Sequence, residues 1–114
     1  MAVVRKQDGG VVCGRCVVAD STWLRMKGLL GRSGLDDEEG ILLRPASSIH
    51  MFFMRFAIDA VFLDRELNVL KVRQDLRPWR MASKRGARSV LELPAGRCER
   101  VGLREGERLL VSEL

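Results

Sequence analysis

The one histidine of the chain, His50, lies in its most apolar run, Ser47–Asp64 (SSIHMFFMRFAIDAVFLD), with Arg55, Asp59 and Asp64. Charged groups in such a run must be paired or aimed at solvent, because burying them alone costs several kcal/mol. His50 with Asp59 or Asp64 would form a general base and its orienting carboxylate. Two carboxylates in one short segment also suit glycoside hydrolysis, although the chain is small for a sugar cleft. A bidentate Arg55–Asp59 or Arg32–Asp59 pair would instead fix a turn. That structural reading outweighs a ligand site. No G-x-S-x-G elbow supplies a nucleophile, and Ser47-Ser48 lack a supporting motif.

Cys13-Gly14-Arg15-Cys16 is a C-x-x-C pair followed by the extended run Val17-Val18-Ala19. A redox pair of the thioredoxin kind would sit at a helix start. On a regular strand, residues i and i+3 point to opposite faces, a poor geometry for sharing a metal. Cys98 and His50 could complete a Cys₃His set, but their spacing follows no zinc pattern. Three reduced, partly buried thiols are expected, with no metal and no cofactor. Neither G-x-G-x-x-G nor G-x-x-x-x-G-K-[ST] occurs, so no phosphate cradle is signalled.

The elements that must position these groups are short and punctuated by Gly and Pro. A first strand is expected over Arg15–Ala19, after a loose tail at residues 1–12. Asp20 or Ser21 can cap a helix whose apolar face carries Trp23, Met26, Leu29 and Leu30, ended by Gly31. Strands are then expected near Ile41–Leu43, Ile49–Phe56, Ala60–Leu63, Leu67–Arg73, Ser89–Leu93 and Arg108–Ser112, with a helical turn after Pro94-Ala95-Gly96. Asp59 falls in a turn on this reading. Phe53, Phe62, Val90 and Leu91 or Leu93 are expected in the core. The fold class is mainly β with one or two short helices, a small β-sandwich or a partly open barrel in a single domain over residues 1–114.

Charge is concentrated. Residues 65–88 carry eight basic side chains (Arg65, Lys71, Arg73, Arg77, Arg80, Lys84, Arg85, Arg88) against Glu66 and Asp75, which accounts for the net +5 of the whole chain. Such a patch attracts polyanions, although a solvated face on a basic protein is the plainer reading. No run reaches the ~20 apolar residues of a membrane helix, and the N-terminus has no secretory h-region. A cytoplasmic monomer with no membrane partner is the default.

Five motifs taken together resemble the DUF192 family, also called UPF0127: KGLLGR (Lys27–Arg32), GILLRP (Gly40–Pro45), SIHMFFMRFAIDAVFLDRELNVL (Ser48–Leu70), VLELPAG (Val90–Gly96) and GLREGERL (Gly102–Leu109). They cover about residues 17–112 in order. The resemblance implies a compact β-rich, sandwich-like fold and no established activity. It points to Gly28, Arg32, Phe53, Met54, Arg55, Asp59, Asp64 and Leu93–Gly96. Where family members often carry Trp-Met-Lys-Asn-Thr, this chain has Phe53-Met54-Arg55-Phe56-Ala57, which removes a polar pair.

The leading functional expectation is a non-catalytic module binding a small or extended ligand, or a protein, beside Arg32, His50, Met54, Arg55, Asp59 and Asp64. One alternative is a small enzyme using His50 with Asp59. The other is nucleic-acid binding through residues 65–88, with Trp79 as a stacking side chain.

Overall fold

Runs rich in Val, Ile and Leu between Gly, Asn, Asp and Pro form strands, because branched side chains pack well on a pleated surface. The structure is a computed structural model that describes residues 1–21, 29 and 32–113. Its strands are β1 (Ala2–Lys6), β2 (Val11–Ala19), β3 (Glu39–Leu43), β4 (Ser48–His50), β5 (Ile58–Leu63), β6 (Val69–Leu76), β7 (Met81–Ser83), β8 (Ser89–Pro94) and β9 (Leu109–Glu113). One short helix, α1 (Arg97–Val101), follows β8 among the described residues. The expected helix from Ser21 lies outside the described residues, apart from the buried Leu29.

Seven strands form one sheet in the order β6-β5-β8-β3-β2-β1-β9, and β4 pairs with β7 as a separate ribbon. Among the described strand pairs only β2–β3 is parallel. The two ends of the large sheet approach each other: Asn68, just before β6, bridges to Arg108, just before β9, and Leu109 N–H donates to Leu67 O at 2.9 Å. The sheet is therefore a curled, partly open barrel rather than a two-sheet sandwich.

Curling divides the core in two. One cluster takes residues from both sheet ends, including Val4, Cys13, Leu42, Val61, Leu91 and Leu109, and fills the concave side. The other includes Ile41, Ile58, Phe62 and Val90, and is covered from outside by Ile49, Met51 and Met54. With both faces covered, β5 and β8 are buried at every position. This explains their continuous apolar runs.

Close packing also dictates one glycine. A Cβ on Gly40 would lie 2.7 Å from Cys13 Sγ and 2.9 Å from the Glu92 carbonyl oxygen. No larger residue fits where β2, β3 and β8 lie side by side.

Four expectations are corrected. Residues 1–12 are not a loose tail: Ala2 and Val4 are fully buried, and β1 lies between β2 and β9. The strand expected over Ile49–Phe56 stops at His50, since Phe53 adopts a left-handed backbone, φ 66°, that breaks the extended run. Asp59 lies within β5, not in a turn. Phe53 is 64% exposed, whereas Phe62, Val90, Leu91 and Leu93 are buried as expected.

Phe62→Ala should therefore cost ~3–5 kcal/mol in urea unfolding, while Phe53→Ala should cost under ~1 kcal/mol. Equal losses would mean that the faces of this region are assigned wrongly.

Candidate functional site

Register carries the chain outward after β4. Ile49 pairs with Ala82 and His50 with Met81. The ladder continues beyond the ribbon, with Met51 N–H donating to Arg80 O and Trp79 N–H to Met51 O, both at 2.8 Å. Ile49, Met51 and Met54 point inward and anchor the segment in the outer core. Phe52 and Phe53 are left facing outward beside the Pro78-Trp79 loop.

The outward rings form a row. His50 stacks on Phe52 with centroids 4.7 Å apart, Phe52 stacks on Trp79 at 5.9 Å, and Phe53 meets Trp79 edge-on at 5.0 Å. Trp79 is 60% exposed and Met81 66% exposed. Large apolar side chains grouped on a surface mark interaction sites more often than singly exposed ones do. Arg55, Arg77 and Arg80 are the exposed cations on these loops, and Arg77 holds Asp75 at 3.3 Å. Among the described residues no ion pair involves Arg55, Arg65, Arg73, Arg80, Lys84, Arg85 or Arg88. Lys71 reaches the Ser83 carbonyl and lies over the Phe62 ring.

Asp59 belongs to a different place. It is fully buried on the concave side of β5 and accepts three backbone N–H groups: Asp75 at 2.9 Å, Gly96 at 3.1 Å and Cys98 at 3.0 Å. The Asp75 donor arises because the β5–β6 register slips between Ile58 and Ala60. The Gly96 and Cys98 donors open α1. Neither Arg55 nor Arg32 takes part. Asp59 thus does not form a base-and-orienter pair with the outward-facing His50.

The remaining candidates lie away from the ring row. Arg32 grips Glu39 with two bonds, at 2.7 and 3.2 Å, and holds its carboxyl down at about 2, helped by the Asp36 N–H. Both residues line an apolar cavity of about 100 Å³ with Leu29, Leu35 and Ile41. Met54 is buried in the core. Asp64 accepts the N–H groups of Asn68 and Glu66, each at 2.9 Å, and the Asn68 amide; the Asn68 N–H is the main cause of its lowered pKa.

The cysteines depart from expectation in one respect. Ala2 faces Cys16 and Val4 faces Cys13, so β2 carries an extra residue there. That bulge brings Cys13 and Cys16, i and i+3, to the same concave cluster. Contact between the thiols lowers the Cys13 pKa and raises that of Cys16. Burial, then the Asp59 charge, pushes the Cys98 thiol up to about 12. No group of three metal-binding side chains occurs among the described residues.

Comparison with known proteins places this geometry. The chain matches the family DUF192, described as uncharacterized ACR, COG1430, over residues 3–111. It belongs to the DUF192 family. The DUF192 match begins well before residue 17, so it includes the C-x-x-C pair. A UPF0127 protein of Thermococcus sibiricus (strain DSM 12597 / MM 739) is 35% identical over 99 residues, covering 82% of this chain and 64% of that protein. The chain thus spans just under two thirds of that relative. A UPF0127 protein of Thermococcus gammatolerans is 32% identical over 110 residues, 92% of this chain and 71% of that protein. The crystal structure of a protein of unknown function from Novosphingobium aromaticivorans DSM 12444 shares the fold, with a TM-score of 0.79 and 24% identity over 96% of this chain and 82% of that one.

The DUF192 motifs divide by role. GILLRP is β3 and the cis Arg44–Pro45 bond, and VLELPAG is β8 with the turn that meets Asp59. The long central motif supplies Asp59 and the outward rings of His50, Phe52 and Phe53, but not Trp79. Sequence reasoning named His50, Arg55 and Trp79 but missed Phe52, Phe53 and Met81 as surface groups. The signal was present in Phe52-Phe53-Met54-Arg55-Phe56, since successive bulky rings cannot all face one core.

Asp59→Asn turns one acceptor oxygen into a donor facing buried N–H groups and should destabilise the fold by ~2–4 kcal/mol. A melting temperature within a degree or two of the parent would contradict the capping role. For Glu39, the folded pKa of about 2 lies below the ordinary 4.5. Its stabilising contribution is therefore present above that ordinary value and is lost as pH falls through about 2. Partial exposure keeps the contribution under ~1 kcal/mol. Arg32→Met should move the Glu39 titration, read by carboxyl NMR, up towards the ordinary range.

Proposed function

We propose that this DUF192 chain is a non-catalytic binding module whose site is the ring row of His50, Phe52, Phe53 and Trp79, extended by Met81. The observation that carries the reading is backbone strain without burial. Among the described residues four non-glycine ones have positive φ: Phe53 (66°), Leu67 (69°), Asp75 (52°) and Trp79 (69°). Such a conformation costs on the order of 1–3 kcal/mol and persists where the surroundings enforce it. Leu67 packs its side chain against the concave core, and Asp75 has its N–H held by Asp59. Phe53 and Trp79 place large rings in solvent and gain little burial in return. Strain of this kind clusters at ligand sites, where a group is held ready in advance.

The surface favours a ligand with a flat unsaturated face and negative charge. The rings supply flat apolar area at low entropic cost, and among the described residues the neighbouring arginines have no acidic partner apart from Arg77. Anilinonaphthalene sulfonate has both features and serves as a probe. The folded parent should enhance its fluorescence. A Phe53→Gly/Trp79→Gly double variant should lose most of that signal while unfolding within ~1 kcal/mol of the parent, because glycine relieves the positive φ. Undiminished fluorescence in the variant would place the probe elsewhere, for instance in the cavity under Leu29. A stability loss above ~2 kcal/mol would make the rings part of the fold.

A further inference from the structure

Building on that binding surface, we propose that its ligand is single-stranded nucleic acid, with bases stacking on the Trp79–Phe53 end of the row and phosphates meeting Arg55 and Arg80.

Three observations favour this partner. The first is the distribution of neutralised charge. Away from this face, Lys6 pairs with Glu107, Arg15 with Asp36, Arg97 with Glu38, and Arg100 with Asp37. Arg44 likewise pairs with Glu113. Among the described residues the cations of residues 65–88, together with Arg55, lack such partners except at Arg77. Arg5, Arg104 and Arg108 are also without ion pairs but lie at the β1 and β9 side of the sheet. Arg55 and Arg80, by contrast, are exposed on the loops that carry the rings, a local positive charge that suits a ligand with repeated negative charge.

The second is the shape of the surface. The apolar cavity at Leu29, the polar clefts at Lys6–Glu107 and Arg44–Glu113 and the mixed cleft at Pro45–Arg88 have none of the ring residues in their walls. The row projects from paired loops. Such a row can lie against a succession of flat faces. Unpaired bases offer such faces along an anionic backbone, and stacking on aromatic side chains is tolerant of sequence. In a duplex those faces are hidden.

The third is rigidity. The two loops are pinned to each other through the Met51–Arg80 and Trp79–Met51 bonds, and from beneath by buried Met51 and Met54. Rings fixed in advance lose little freedom when a base stacks on them.

The test uses the full chain with a short fluorescein-labelled oligothymidylate and the matching oligouridylate, read by fluorescence anisotropy. Both should bind at about 50 mM salt and weaken as salt rises, with the logarithmic slope set by ~0.7 per phosphate contacted. Trp79→Gly should weaken binding roughly 5- to 150-fold. Arg55→Gln/Arg80→Gln, at exposed positions that leave folding intact, should flatten the salt slope by about 1–1.4. A duplex of the same sequence should compete poorly, and so should polyglutamate. The proposal is overturned if neither oligonucleotide binds, if Trp79→Gly binds as the parent does, or if duplex competes equally. Equal competition by polyglutamate would overturn it in favour of an acidic polypeptide. Probe fluorescence that depends on Phe53 and Trp79, without oligonucleotide binding, would leave the binding surface standing and remove nucleic acid as its ligand.

Discussion

One carboxylate organises the architecture. Asp59 is buried without solvent, a state that costs several kcal/mol for an isolated charge. Three N–H groups offset that cost, and they come from separate parts of the chain. One is freed by the irregularity in β6, and two open α1. A helix as short as α1 has little stability of its own, so a negative group at its start matters to its existence. The helix in turn carries Arg97, whose guanidinium reaches the carbonyls of Val11 and Val12 on β2. The tie therefore runs from β5 through α1 to the far side of the sheet. It also fixes which face of β5 is concave, and so places Phe62 on the outer face.

The same segment serves two purposes by a change of conformation. Up to His50 the chain is a strand; from Ile58 it is a strand again. Between them the left-handed turn at Phe53 turns the rings towards solvent, while Met51 and Met54 plug the outer core. Structural acidity and exposed basicity are thereby kept apart. Asp59, Asp64 and Glu39 are engaged within the fold, and the cations near the rings face outward.

Much of the fold was legible because its strongest signals are local. The continuous apolar runs of β5 and β8, the stop at Pro45 and the turn at Gly96 follow from composition alone. Asp59 could be singled out because a carboxylate between Ile58 and Ala60 needs partners wherever it lies. What was not legible depends on pairing between distant residues. Residues 1–12 read as a tail because the partner that buries β1 on one side, β9, lies at the other end of the chain. Cys13 and Cys16 read as opposed because a bulge is set by register against Ala2 and Val4, not by the C-x-x-C spacing. Phe53 read as core because apolar character was taken as burial, and the left-handed turn has no glycine to announce it.

The pairing of β1 with β9 also has a temporal meaning. Ala2 lies opposite Glu113, and Lys6 opposite Leu109. During synthesis the concave core stays open on that side until β9 has left the ribosome, since contacts so distant in sequence form only after their loop closes. The nascent chain therefore exposes the apolar residues of β1 on that side until β9 emerges. The step that seals the barrel is the arrival of residues 109–113.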